Sequence, residues 1–199
     1  MNEIGENPLS ASERKLLSIA RQLGPIARSE VTAHSGLSQQ SVHRHIDSLQ
    51  SKGFLRLRPA TIKGRGKPSP LVEINQDTYV SLGLSFTTEK VLACLLNLKG
   101  VPLIECELDV HPNKPTDVLN MLEVKIADWT AAELKNRQMI GVGIAMQGYR
   151  TDATDQFETP RLLGNWQNLD LTTLFQDRFK LPVFTENNAT SCATAEFYL

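Results

Sequence analysis

With 199 residues, 41% of them apolar, the chain is long enough for one or two domains with a real core, and no run of about 18 apolar residues marks a membrane span. Its net charge of −1 conceals a split: residues 1–75 carry 11 Lys+Arg against 6 Asp+Glu, and residues 76–199 carry 10 against 16. A basic head on an acidic body confines any polyanion partner to the head. The N-terminal stretch MNEIGENPLSASERK lacks the basic-then-apolar order of a secretory leader. Cys94, Cys106 and Cys192 stand singly, without metal-ligand spacing, which points to buried, reduced thiols in a cytoplasmic protein.

In chain order, residues 1–10 are polar. A helix is predicted from Ser12 to Leu23, with Leu16, Leu17, Ala20 and Leu23 on its inner face and Gly24-Pro25 as its stop. A short helix follows over Arg28 to His34, with Val31 inward. A turn, Ser35-Gly36-Leu37, then leads to Ser38, a good N-cap, and to a helix through Lys52. Val42, Ile46 and Leu49 recur at i, i+4 and i+7 as one apolar stripe, while Gln39, Gln40, Ser41, His43, Arg44 and Lys52 occupy the other faces. Two helices joined by a tight turn form a helix-turn-helix, and a helix dry on one side with hydrogen-bonding groups on the other suits a DNA major groove. Phe54 to Arg58 alternates apolar and basic residues as a strand, with Leu71–Ile74 as its partner. Between them the loop 59–68 carries Lys63, Arg65 and Lys67 at the tip of a wing. The head is thus a winged helix-turn-helix over residues 1–75. Gln39, Gln40, Ser41, His43 and Arg44 are the candidates for base edges, and Ser38 opens their helix. Arg28, Lys52, Arg65 and Lys67 are the candidates for the phosphate backbone.

The body begins near residue 79. Strands are predicted over Tyr79–Phe86, Lys90–Leu98 and Val101–Val110, joined by short polar turns as an antiparallel meander. A helix runs from Pro115 to about Lys135, with Val118, Leu122, Ile126 and Trp129 along one side. Met139–Met146 is a nearly unbroken apolar run, as expected of a strand buried on both faces. A polar loop spans 147–168, then a helix over Leu171–Phe179, a buried strand over Pro182–Glu186 and a helix over Ala189–Leu199. This order implies a mixed sheet with helices against it.

Taken together, GLSQQSVHRHIDSLQSKGFL (36–55), GRGKPSPLVEIN (64–75), LGLSFTTEKVLACLLNLKG (82–100), GVGIAMQG (141–148), NWQNLDL (165–171) and LPVFTENNATSCATAE (181–196) resemble the ROK family of bacterial sugar kinases and sugar-responsive repressors. The resemblance implies an α+β two-domain chain: the winged head, then over 79–199 part of an actin-like, ribonuclease-H-like α/β domain. It also implies that family members continue for roughly another domain half, with a second phosphate segment, more sugar contacts and often a Cys-rich zinc motif. None of these is in the sequence, so no metal is assigned.

Two departures from the kinase pattern carry the functional reading. Family kinases hold ATP phosphates on an Asp-x-Gly-Gly-Thr turn, where glycines let backbone N–H groups approach the anion. Ser85, Thr87, Thr88 and Glu89 stand there instead, and the Glu89 carboxylate would repel a phosphate. Family kinases also carry Asn-Asp, whose Asp is the general base, where this chain has Asn187-Asn188, and an amide is no base at neutral pH. Losing such a base typically costs about 10²- to 10⁴-fold in rate. Asn187 and Asn188 remain candidates for holding sugar hydroxyls, together with Gly148, which matches the family's Pro-Gly, whereas Gln147 departs from it. The expectation is a DNA-binding transcriptional regulator of sugar metabolism genes, with no catalytic residues and no cofactor. Its partners are a double-stranded operator, a sugar or sugar-phosphate effector and a second copy of the chain, because one helix-turn-helix reads only a half-site. A sugar kinase with an added head, and a shortened DNA-binding product without effector response, stay open beside it.

Overall fold

The computed structural model describes residues 9–59, 70–132, 134, 136–151 and 155–198. The chain divides into two compact units, Met1–Thr78 and Tyr79–Leu199.

In the first unit, helix α1 spans Ala11–Leu23, one position earlier than the sequence pattern places it, because Ser10 is the N-cap. The Ser10 hydroxyl accepts the Glu13 N–H at 3.2 Å, and the Glu13 carboxylate accepts the Ser10 N–H at 2.8 Å, a capping box. The inner face is Glu13, Leu16, Ile19 and Ala20; Leu17 is half-buried, and Leu23 is 49% exposed rather than buried. The apolar stripe therefore drifts with the 3.6-residue turn away from Leu23. A two-residue strand β1 (Ile26–Ala27) precedes α2 (Arg28–Ser35), and Gly36 at φ 66° ends that helix. Helix α3 spans Gln39–Ser51 with Ser38 as N-cap. Strands β2 (Leu55–Arg58) and β3 (Leu71–Ile74) pair antiparallel, with Leu55 opposite Ile74 and Arg56 opposite Glu73. β1 joins β3 on its other edge, giving the order β1-β3-β2, a strand that no local hydrophobic pattern announces. Between α3 and β2, Gly53 has φ 79°, and a Cβ there would lie 2.9 Å from the methyl of Thr78, the last residue of this unit, so the turn favours glycine.

The second unit is built on a five-stranded mixed sheet in the order β10-β7-β4-β5-β6. The strands are β4 (Tyr79–Phe86), β5 (Val91–Asn97), β6 (Pro102–Glu107), β7 (Gln138–Met146) and β10 (Val183–Asn187). β4, β5 and β6 form the antiparallel meander, while β7 lies parallel to both β4 and β10. Helices α4 (Pro115–Ala132), α5 (Leu171–Phe179) and α6 (Asn188–Tyr198) complete the elements, α4 ending three residues short of its predicted end. Val118, Leu119, Leu122 and Trp129 are its buried residues, and Ile126 is only half-buried.

Two expectations about the loops and strands of this unit are corrected. The segment 147–168 is not simply a polar loop. It holds a small hairpin, β8 (Tyr149–Arg150) with β9 (Phe157–Glu158), and a 3-10 turn over Arg161–Trp166. It also supplies Phe157, Leu163 and Trp166, all 1% exposed or less, to the core. The Trp166 indole N–H donates to the Pro112 carbonyl at 2.7 Å, and its ring meets Phe86 edge-on with centroids 4.8 Å apart. Isolated large apolar residues in a polar run hide their burial because the chain there has no period.

Secondly, β7 and β10 are not buried on both faces. Leu82, Leu84, Phe86, Val142, Ile144 and Met146 face the core. Gly83, Gly143 and Phe184 share the opposite face by register, and there Gly143 is exposed and Phe184 is 74% exposed. An apolar run of this kind counts glycine and alanine as core, although they carry too little surface to require cover. This second face forms an open trough of about 600 Å³. The three cysteines are free; Cys94 and Cys106 are half-buried and Cys192, on α6, is exposed rather than buried. No helix among the described residues is long and apolar enough to cross a membrane.

Candidate nucleic-acid interface and ligand edge

Helix α3 is seated by Val42, Ile46 and Leu49, each 0% exposed. Burying three such side chains contributes about 1.5–3 kcal/mol apiece, enough to fix which way the helix faces. Its first turn is held by Ser38, whose hydroxyl accepts the Ser41 N–H at 3.2 Å and pairs with the Ser41 hydroxyl at 2.9 Å. Ser38, Gln39, Gln40 and Arg44 are exposed, and Ser41 and His43 are half-buried on the outer sides of the same helix. The structure therefore brings these six candidates together on one outward surface. Arg65 and Lys67, with Lys63, lie outside the described residues.

Arg28 and Lys52 have other engagements. Arg28 Nη2 lies 2.8 Å from Asp47 Oδ1, linking the start of α2 to the outer side of α3. Lys52 Nζ lies 2.9 Å from Glu13 Oε1, and the Ser48 hydroxyl donates to the same oxygen at 2.8 Å. Glu13 is 5% exposed. Burial alone would raise its pKa, but the hydrogen bonds from Lys52, Ser10 and Ser48 outweigh burial and lower it from 4.5 to about 2. The capping box at Ser10-x-x-Glu13 is legible in the sequence, but the second function of Glu13, receiving α3, is not.

On the hairpin, Arg56 Nε lies 2.7 Å from Glu73 Oε1 and its Nη1 lies 2.8 Å from Asp77 Oδ2. The hydrogen bond that Arg56 donates to Glu73 is the chief cause that raises the Arg56 pKa above its ordinary value. Arg58, next along β2, is exposed.

In the second unit the parallel strands β4, β7 and β10 end at one level, with Phe86 opposite Met146 and Met146 opposite Asn187. Ligands of open α/β sheets bind in the crevice beyond such strand ends. Three segments leave this edge: the turn 87–90, the loop from Gln147, and the start of α6. The Phe86 carbonyl binds two of them, accepting the Gln147 N–H at 3.1 Å and the Asn188 side-chain N–H at 3.0 Å. That bond fixes the orientation of the Asn188 amide and leaves its Oδ1 buried without a hydrogen-bond partner. Asn187 Oδ1 accepts the Thr190 N–H at 2.8 Å, the work of a helix cap. Gly148, at φ 139°, has the Glu158 carbonyl oxygen 2.3 Å from where a Cβ would be, so it is fixed by close backbone approach.

Two residues here have roles that sequence reasoning does not assign. Arg150 donates to the Thr185 carbonyl and lies 3.5 Å from Asp155 and 3.8 Å from Glu186, tying the small hairpin to β10. Gln147 Oε1 accepts the Thr88 N–H at 2.8 Å. The sequence marks it only as a departure from the Pro-Gly of the family pattern. Among the described residues, no group of three His, Cys, Asp or Glu side chains is placed to hold a metal ion.

These features have relatives. A model described as the ROK family matches residues 81–199. A xylose repressor of Bacillus spizizenii is 24% identical over 93% of this chain and 48% of its own length. A transcriptional regulator of Mycobacterium tuberculosis is 27% identical over 90% of this chain and 41% of its own. The chain thus spans about half the length of the curated relatives it matches. The fold is shared with the crystal structure of a ROK family transcriptional regulator, a homologue of the E. coli MLC protein. The TM-score is 0.72 at 22% identity, over 92% of this chain and 47% of that one. The family match covers more than half of the chain and all but the first two residues of the sheet just described: this protein belongs to the ROK family.

Proposed function

We propose that the chain is a sequence-specific DNA-binding transcriptional regulator that represses sugar-metabolism genes, its second unit sensing a sugar or sugar-phosphate effector without turning it over. The observation that carries the reading is α3, with its Val42, Ile46 and Leu49 stripe fully buried and Gln39, Gln40 and Arg44 presented outward. In this reading Met1–Thr78 is a winged helix-turn-helix whose α3 enters the major groove. Gln39, Gln40, Ser41, His43 and Arg44 meet base edges, and Ser38 caps the helix that carries them. Arg65 and Lys67 meet phosphates, whereas Arg28 and Lys52 first hold α3 in place. The chain acts as a homodimer on a two-half-site operator. The names of the relatives, a xylose repressor and transcriptional regulators, support the same reading. Asn188 in place of a base supports a body that does no chemistry.

Selecting bound sites from genomic DNA with the purified chain tests this. Enrichment of a paired motif beside sugar-utilisation genes is the expected result. Recovery of random fragments overturns sequence specificity.

A further inference from the structure

We infer that Gln147 is the specificity-determining residue of the strand-end edge: its side-chain carbonyl takes the Thr88 N–H that an anion would need, and so restricts the edge to uncharged, hydroxyl-bearing ligands. This rests on the proposal that the edge is where an effector binds, and it narrows the effector class.

The turn after β4 is where an anion would be expected. A run of consecutive N–H groups in a tight turn, at the end of parallel strands, makes a concave seat for phosphate. In this chain each of those N–H groups is already spent inside the protein. Thr87 N–H goes to the Lys90 carbonyl at 3.0 Å. Glu89 and Lys90 N–H go to the Thr87 hydroxyl at 3.3 and 3.1 Å. Thr88 N–H goes to Gln147 Oε1 at 2.8 Å, the one bond in the set that comes from outside the turn. Gln147 is itself held at both ends, by its own N–H on the Phe86 carbonyl and by Gly148, whose backbone packs on Glu158.

What the edge still offers is acceptors. Asn188 Oδ1 is buried without a donor, and the Glu186 carboxylate lines the same strand end. Two cations stand by this edge, and both are engaged: Arg150 by Thr185, Asp155 and Glu186, and Lys90 by Glu107 at 3.5 Å. An unsatisfied buried acceptor costs about 1–3 kcal/mol until a donor reaches it. A sugar hydroxyl is such a donor, and a phosphate dianion is not.

Amide-resolved NMR on the ¹⁵N-labelled full chain tests the assignment without knowledge of the effector. Thr88 is expected to exchange slowly in the wild type and at least ~10-fold faster in Gln147→Ala, a factor that corresponds to about 1.4 kcal/mol of lost protection. Gln147→Glu keeps an acceptor at the same reach and should restore the protection, which separates the hydrogen bond from a general loss of folding. Inorganic phosphate, glucose 6-phosphate and MgATP should leave residues 87–90 of the wild type unmoved, while phosphate shifts Thr88 in Gln147→Ala. Saturable shifts at Thr88 or Glu89 of the wild type with any of the three overturn the inference. So does equal Thr88 exchange in wild type and Gln147→Ala. If the exchange pattern holds but no sugar in a panel alters operator binding, the Gln147 assignment is supported and the effector-sensing reading fails.

Discussion

Lys52 Nζ stands 2.9 Å from Glu13 Oε1, so the C-cap of the candidate recognition helix is fastened to the first turn of α1 by an ion pair whose carboxylate is buried. Because the Glu13 pKa is lowered from 4.5 to about 2, its ionised form adds stability that is fully present above pH 4.5 and is lost as pH falls toward 2. Glu13→Gln should cost about 3 kcal/mol at neutral pH, and the gap from wild type should narrow as the pH drops through that window. Urea melts of both proteins across the acid range measure the gap directly; a gap independent of pH contradicts the pairing.

The same bond separates two kinds of positive charge in the first unit. Lys52→Met should lower the melting temperature yet leave the salt dependence of DNA binding unchanged, because the ammonium is occupied within the fold. Lys67→Ala should weaken binding to all DNA alike and reduce the slope of log affinity against log salt by about 1. Gln40→Ala should instead alter which operator is preferred, at a cost of about 1–3 kcal/mol on the best site. Titrations at several salt concentrations against specific and scrambled duplexes distinguish all three patterns.

Asn188→Asp restores a carboxylate where a general base would stand, and still no phosphoryl transfer is expected, since the amides of the turn 87–90 stay consumed. The new carboxylate also replaces the amide donor that faces the Phe86 carbonyl at 3.0 Å, so it should lower the melting temperature. A coupled ATP and sugar assay showing saturable turnover in this variant would defeat the argument from the turn.

Trp166→Ala should destabilise the chain by about 3–5 kcal/mol, as removal of a fully buried aromatic does. The variant loses the packing on Phe86 and Phe175, and the hydrogen bond to Pro112 that anchors the segment crossing the core. Equilibrium unfolding followed by far-UV circular dichroism gives the value.

Much of the fold was legible because its elements repeat. The Val42, Ile46, Leu49 stripe and the antiparallel meander of β4 to β6 appear where their periods place them, although β2 begins at Leu55 rather than Phe54 and β6 ends at Glu107, short of the expected Val110. The exceptions share a cause. β1 is too short to show a period, and Trp166 and Phe157 sit in a stretch with none. In β7, glycine and alanine imitate core while facing open space. In the candidate sites, residue type was readable and commitment was not. Lys52 and Arg28 looked like free cations, yet their acidic partners come from Glu13, 39 residues away, and Asp47, 19 away. Gln147 looked like a defect in a motif, and it is the residue that completes the Thr87–Lys90 turn across a separation of 59 residues.

Phe86 has one foot in each compartment of the second unit: its ring lies against Trp166, and its carbonyl receives Gln147 and Asn188. Anything that pulls the Asn188 amide toward itself must loosen that carbonyl and disturb the indole behind it. The protein thereby carries its own optical gauge. Emission from Trp166, read in a Trp129→Phe background, would report occupancy of the edge with no label attached, and would let a library of candidate effectors be screened in a cuvette before any promoter is known.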